Sequence, residues 1–315
     1  MANTPVVVLD DTLTDIADAI RGKNGSQSTY KPSEMPAAIT AIPSGGGTGV
    51  TREVSQTGVY QIPAQSATFA TPSNATSLGD YSLYRAFYNS TGLVSADLSS
   101  ITSITASNAI KEAFYGCTGL TSVNLSSLTT IGGGVLMDAF RGCTGLTSVS
   151  FDSLAVVDQM SALREAFYDC SGLETVNLSH LVTVSGSYAF QQAFYRCTHL
   201  TSINLSSLTT VSGSQAMTAF VQTCTGLESV TFPSLSKISG DKAFFDAFRS
   251  CTSLKTISFP ALASFGSYSN QFNYMLRYCT DVTVHFPAAI QSTIGNWSDV
   301  TNGFGGTNTT VLFDL

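Results

Sequence analysis

One short frame returns along most of this chain and limits its fold more than any other feature. An Ala-Phe pair ends at Phe87, Phe114, Phe140, Phe167, Phe194, Phe220 and Phe248, and Leu276 takes the place in an eighth copy. The spacings are 27, 26, 27, 27, 26, 28 and 28 residues. So regular a period predicts a solenoid, in which each unit packs only on its neighbours.

Each copy divides into two halves. In the first, Ile110, Ala113, Phe114 and Cys117 fall at i, i+3, i+4 and i+7. The same stripe returns as Leu136–Ala139–Phe140–Cys143, Leu163–Ala166–Phe167–Cys170 and Phe244–Ala247–Phe248–Cys251, and ends as Phe272–Met275–Leu276–Cys279. That spacing predicts a helix of about two turns. A helix so short needs packing on its neighbours to persist. The second half, "LTSVNLSSL" at 120–128, alternates and predicts a strand that buries Val123 and Leu125 and exposes Ser122, Asn124 and Ser126. Leu128 and Ile131 continue the apolar spine, and "GGG" or "SGS" bends the chain into the next copy.

The frame L-x-x-V-x-L-x-x-L preceded by AF-x-x-C resembles the BspA-type leucine-rich repeat. The Phe-Pro pairs at Phe232-Pro233, Phe259-Pro260 and Phe286-Pro287 match that family's Ile-Pro position. The resemblance implies an α/β solenoid of about eight coils of 26–28 residues, each a short strand plus a two-turn helix, capped at both ends. It covers roughly residues 61–290, with 61–83 as a degenerate first coil and 291–315 as a C-terminal cap. Trp297 reads as an anchor of that cap. For function the family, found in bacterial surface proteins, adhesins and phage proteins, implies binding.

Catalytic and metal chemistry find no constellation here. The seven cysteines, Cys117, Cys143, Cys170, Cys197, Cys224, Cys251 and Cys279, occupy one position per coil. Zinc needs ligands that converge at short local spacings. Disulfides between adjacent coils fit the separation, but the count is odd and stacked side chains point the same way. The reading that fits best is a reduced, buried ladder of small apolar groups. His180, His199 and His285 have no partner at catalytic spacing, and "IGGGV" at 131–135 lacks the Lys-Ser/Thr of a phosphate loop. Glu112, Asp138, Glu165 and Asp246 recur one step before Ala-Phe as an exposed face of the expected helix. The expectation is a non-enzymatic protein without cofactor or metal.

What remains is a surface. Only 11% of residues are charged, against about a quarter in an ordinary domain, and the net charge is −7. That argues against a nucleic-acid face. No apolar run reaches bilayer length, so membrane insertion is not expected. The strands should present Ser122, Asn124, Ser148, Ser150, Thr175, Asn177, Ser202, Asn204, Ser229, Thr231, Thr256 and Ser258. Two readings stand for this polar ladder: recognition of a host-surface glycan or protein, or solubility of the sheet. A second row, Tyr88, Tyr115, Tyr168 and Tyr195 with Arg141, Arg249 and Arg277, either forms an interface or shields the layer beneath it.

Residues 1–44 do not repeat. "LDDTLTDIADAIRGKNG" predicts a helix with Leu13, Ile16, Ala17 and Ile20 on one face, and "KPSEMPAAITAI" a second with Met35, Ile39 and Ile42 apolar. A Gly-rich linker and lead-in at 45–60 follows. This segment resembles an N-terminal motif of tail, baseplate and fibre-like proteins in phages and prophages of Gram-positive bacteria. Leu13, Ile16 to Arg21, Lys23, Gly25, Pro32, Glu34, Met35, Ala38, Ile39 and Ile42 carry the match. It implies attachment to other virion proteins through Leu13, Ile16, Ile20, Met35, Ile39 and Ile42. The N-terminus lacks the basic and apolar regions of a secretory signal, so synthesis in the host cytoplasm is expected. The sequence therefore points to a phage or prophage tail-fibre, tail-tip or receptor-binding component, with a homo-oligomer among its expected states. A bacterial cell-surface adhesin is the alternative.

Overall fold

The computed structural model describes residues 6–8, 67–71, 73–266, 270–292 and 303–315. The expected attachment residues Leu13, Ile16, Ile20, Met35, Ile39 and Ile42, the linker at 45–60 and Trp297 lie outside the described residues.

The chain winds as a solenoid of stacked parallel strands. Its front ladder runs through Ala67–Ala70, Leu93–Asp97, Ser122–Asn124, Ser148–Ser150, Thr175–Asn177, Ser202–Asn204, Ser229–Thr231, Thr256–Ser258, Thr283–Phe286 and Thr310–Phe313. Pairing is parallel and steps by one coil, as in Ser148↔Thr175↔Ser202 and Thr256↔Thr283↔Thr310, within three hydrogen-bonded groups that divide between Ser122–Asn124 and Ser148–Ser150 and between Ser202–Asn204 and Ser229–Thr231. Val6–Val8, ahead of the two expected N-terminal helices, pairs in parallel with Ala67–Ala70 and adds a strand at that end. Two-residue strands such as Thr183–Val184 and Thr210–Val211 form a second ladder behind the first.

The core lies between the ladders. Of the pair that the alternation sends inward, Leu125 is buried and Val123 half-buried; Leu120, Leu128 and Ile131 are buried, and Val149, Val176, Val230 and Ile257 bury their strand centres. Phe232, Phe259 and Phe286 stack face to face at 5.0 and 5.3 Å, and Phe313 continues that stack. The C-terminal segment thus supplies one more rung, Thr310–Phe313, paired with Thr283–Phe286.

The structure corrects the expected helices. Among the described residues there is no α-helix, and the one 3-10 helix is Ala288–Ser292. The Ala-Phe-x-x-Cys segments are successions of turns. In the coil at 110–117, Ala113, Tyr115 and Cys117 donate backbone N–H bonds three residues back, to Ile110, Glu112 and Phe114. The intervening N–H groups of Glu112, Phe114 and Gly116 reach the next coil, at Met137 O, Ala139 O and Arg141 O. Every fourth residue is left-handed: Asn108 (φ 53°), Glu112 (54°) and Gly116 (69°), and likewise Tyr188, Gln192 and Arg196.

A four-residue turn repeat sends the same i, i+3, i+4 and i+7 positions inward as a helix would, so the sequence pattern fits both. A left-handed non-Gly residue costs about 1–2 kcal/mol. Hydrogen bonds between coils and the burial of Ala113, Phe114 and Cys117 offset it. The acidic row Glu112, Asp138, Glu165 and Asp246 therefore marks left-handed turn positions, not an exposed helix face.

One coil also sits in a different register from the one Ala-Phe suggests. Phe87, Phe114, Phe140, Phe167 and Phe194 stack at 5.1–5.4 Å with nearly parallel planes. Phe220 meets Phe194 edge-on, at 83°. Val221 takes the Phe position: its carbonyl accepts Cys251 Sγ, as Phe194 O accepts Cys224 Sγ, and its N–H bonds Ala247 O. Phe194, Val221 and Phe248 are then evenly spaced, and the extra residue before Cys224 accounts for the shift.

Candidate binding surface

The turn segments set the back of each coil and the front strands set its exposed face. All seven cysteines are free and buried. Each thiol also has a hydrogen-bonding role. Cys117 Sγ donates to Phe87 O (2.9 Å), Cys143 to Phe114 O (3.1 Å), Cys170 to Phe140 O (3.0 Å) and Cys279 to Phe248 O (3.1 Å). Each of these carbonyls already accepts the backbone N–H three residues on, so the thiol fills its second acceptor site and ties one coil to the next. Burial pushes Cys117 and Cys170 up to about 12 and Cys279 to about 11, and it raises Cys143, Cys197 and Cys251 well above the ordinary value. These are inert thiols.

On the front face the twelve polar residues separate into two rows with different work. Asn124, Asn177 and Asn204 each accept, through Oδ1, the backbone N–H two residues on, at Ser126 (3.2 Å), Ser179 (3.2 Å) and Ser206 (3.1 Å). Asp97 does the same for Ser99. This is an Asx-turn, which ends the strand and turns the chain. In the same row Asn177 Nδ2 also bonds Ser150 Oγ and Asp152 Oδ1, both at 3.0 Å. Structural work accounts for much of this row.

The other row is Ser122, Ser148, Thr175, Ser202, Ser229 and Thr256. All but Thr256 are exposed, and Thr256 is half-buried. None of these hydroxyls has a hydrogen-bond partner among the described residues. The register extends the row beyond the residues named from sequence, to Thr68 and Ser95 before Ser122 and to Thr283 and Thr310 after Thr256. The one-coil step from Thr256 was the available signal for Thr283. Ten rungs at a strand spacing of about 4.8 Å give a row about 43 Å long. Its flanks carry Glu174, Glu228, Lys255 and Asp152, all exposed, so the row is polar and without a basic patch.

The Tyr and Arg row forms a closed stack. Tyr88 and Tyr115 lie face to face at 4.7 Å, Tyr168 and Tyr195 at 4.5 Å, and Arg141 sits over Tyr168 at 4.0 Å. Arg141 also pairs with Glu165 (2.7 Å) and Asp138 (3.1 Å). Burial raises Asp138, with Arg141 opposing. The rings pair with one another, and Arg141 lies over Tyr115 and Tyr168 between the two pairs. Gln222 stands between Tyr195 and Arg249 in the shifted coil.

No three-member cluster of His, Cys, Asp or Glu suited to a metal occurs among the described residues. His199 Nδ1 lies 2.6 Å from Ser171 O, His285 Nδ1 2.9 Å from Asp314 Oδ1 and His180 Nδ1 3.3 Å from Ser179 Oγ. No helix of the described residues is long and apolar enough to cross a membrane.

The model of the BspA type leucine rich repeat region matches in six copies, over residues 63–154, 110–247 and 191–296. The chain belongs to the BspA-type leucine-rich repeat family. Among solved structures, this BspA-type protein aligns with a leucine-rich repeat protein of Treponema pallidum at 16% identity, over 77% of this chain and 86% of that one, with a TM-score of 0.24. A leucine-rich repeat protein of Eubacterium ventriosum aligns at 15% identity, over 84% and 90%, with a TM-score of 0.25. An internalin of Listeria monocytogenes aligns at 12% identity, over 96% and 90%, with a TM-score of 0.26. A comparison with curated proteins gives no match. Leucine-rich repeat solenoids are typically binding scaffolds rather than catalytic ones.

Proposed function

We propose that this BspA-type protein is a binding scaffold whose front hydroxyl row is its recognition face. The observation that carries the reading is the run of exposed hydroxyls, Ser122 to Ser229, without internal partners. Rigid, evenly spaced donors and acceptors of this kind cost little to order on binding. The scaffold serves as a tail-fibre, tail-tip or receptor-binding component of a phage or prophage virion. It is attached to other virion proteins through 1–44 and presents the solenoid to a host-surface glycan or protein. The motif at Leu13 to Ile42 supports that placement. Mass spectrometry of purified virions from a producing strain tests it: the protein should co-purify with tail proteins, and its absence from virions sinks the virion reading. The family match favours a second reading equally, a bacterial cell-surface adhesin. Surface labelling of uninfected cells separates the two, because only the adhesin is displayed there.

A further inference from the structure

The hydroxyl row narrows the class of partner, given the reading above that this face recognises something. We infer that the ligand is an extended, uncharged polysaccharide lying along the solenoid axis over Ser122, Ser148, Thr175, Ser202 and Ser229.

Three observations carry this. The first is repetition. Within each of three paired groups the rungs are in register, Ser95↔Ser122, Ser148↔Thr175↔Ser202 and Ser229↔Thr256, and each rung offers one hydroxyl at the equivalent position of its coil. A ligand that uses many rungs must itself repeat at about 4.8 Å. An extended peptide presents same-face side chains every ~6.6 Å and falls out of step within two rungs. A docking helix brings an apolar stripe, and the outward side chains of this face are polar. A chain of pyranose units places hydroxyls at a spacing comparable to the rungs.

The second is charge. The row holds no cation, and Glu174, Glu228 and Asp152 lie near it, with Lys255 beside Thr256. Phosphate- or uronate-bearing polymers would meet net repulsion. The third is hydrogen-bonding capacity. The hydroxyls of Ser122, Ser148, Thr175, Ser202 and Ser229 are uncommitted, each able to donate and accept. The Tyr88–Tyr195 ridge, by contrast, commits its rings to pairing with one another and with Arg141, so the recognition argued here uses hydroxyl contacts.

The test uses the full chain and soluble linear glucan oligomers of graded length, with hyaluronate as the acidic comparator, in calorimetric titration. Binding should strengthen with glucan length until the oligomer spans the row, change little with salt, and exceed hyaluronate binding. The isosteric variant Thr175→Val, alone and with Ser148→Ala and Ser202→Ala, should weaken glucan binding, about tenfold or more for the triple variant. Thr130→Val, on the back ladder, should leave it unchanged. Equal binding of short and long glucans, preference for hyaluronate, or no effect of Thr175→Val in a folded protein overturns the inference. If glucans fail but the triple variant loses binding to a host-surface protein extract, the polysaccharide is refuted and the recognition face stands.

Discussion

The cysteine ladder makes the fold sensitive to alkali, and the size of the effect follows from burial. Cys117 and Cys170 sit near 12 and Cys279 near 11 in the folded chain, against an ordinary 9.0 when unfolded. Folding therefore favours the protonated thiols. The contribution is fully present below pH 9, where both states hold the proton. It is lost as pH rises from there toward the folded values, because the unfolded chain ionises first. Each thiol removes about 1.4 kcal/mol per pH unit in that window. Three together remove about 4 kcal/mol by pH 10, a large share of the ~5–15 kcal/mol that stabilises a domain. Cys143, Cys197 and Cys251, raised by burial as well, steepen the fall. Urea unfolding followed by circular dichroism at a series of pH values, with reductant present, measures it. The midpoint should hold from pH 7 to 8.5 and collapse cooperatively between pH 9.5 and about 11. Cys170→Ser should shallow the slope by about 1.4 kcal/mol per pH unit, whatever its effect at neutral pH. A flat profile to pH 10.5, or rapid modification of most thiols in the native protein, refutes the buried, hydrogen-bonded ladder.

Two further outcomes test the turn layer. Gly213 passes so close to the Gly186 carbonyl that an added Cβ would overlap it, and Gly240 stands in the same relation to Gly213, so Gly213→Ala should cost about 2–3 kcal/mol in urea unfolding. Gln192 has φ 55°, so Gln192→Gly should leave stability unchanged or raise it by up to about 1 kcal/mol. Were the segment a helix, the same change would lower stability by about 1 kcal/mol, and thermal melting of the variant decides between them.

Much of the polar front face was legible because strands alternate. Period two separates Ser122 and Asn124 from Val123 and Leu125 without knowledge of neighbours. It was not legible which outward residues are free. Asn124 and Asn177 look like ligands in the sequence, yet their side-chain oxygens close Asx-turns, whereas the hydroxyls of Ser122 to Ser229 make no hydrogen bond among the described residues. The register of the coil at 216–224 was hidden for a related reason. Ala-Phe at 219–220 copies the motif, but the bonds of Val221 N–H to Ala247 O and of Cys251 Sγ to Val221 O put Val221 in the rung, and one extra residue before Cys224 absorbs the difference.

By itself, then, the sequence determined a period, an inward set of Leu, Phe and Cys, and a polar, weakly charged outer face. Those properties belong to each coil alone and leave little but a solenoid. The tertiary structure decided the conformation of the Ala-Phe-x-x-Cys segment, the partner of every buried thiol, and the extra rung at Thr310–Phe313. The reason lies in where the hydrogen bonds go. A helix closes its bonds within itself, whereas here every second N–H, and each cysteine thiol, closes on the neighbouring coil. That choice depends on a surface some 27 residues away in the chain, which no local pattern of apolar residues can encode.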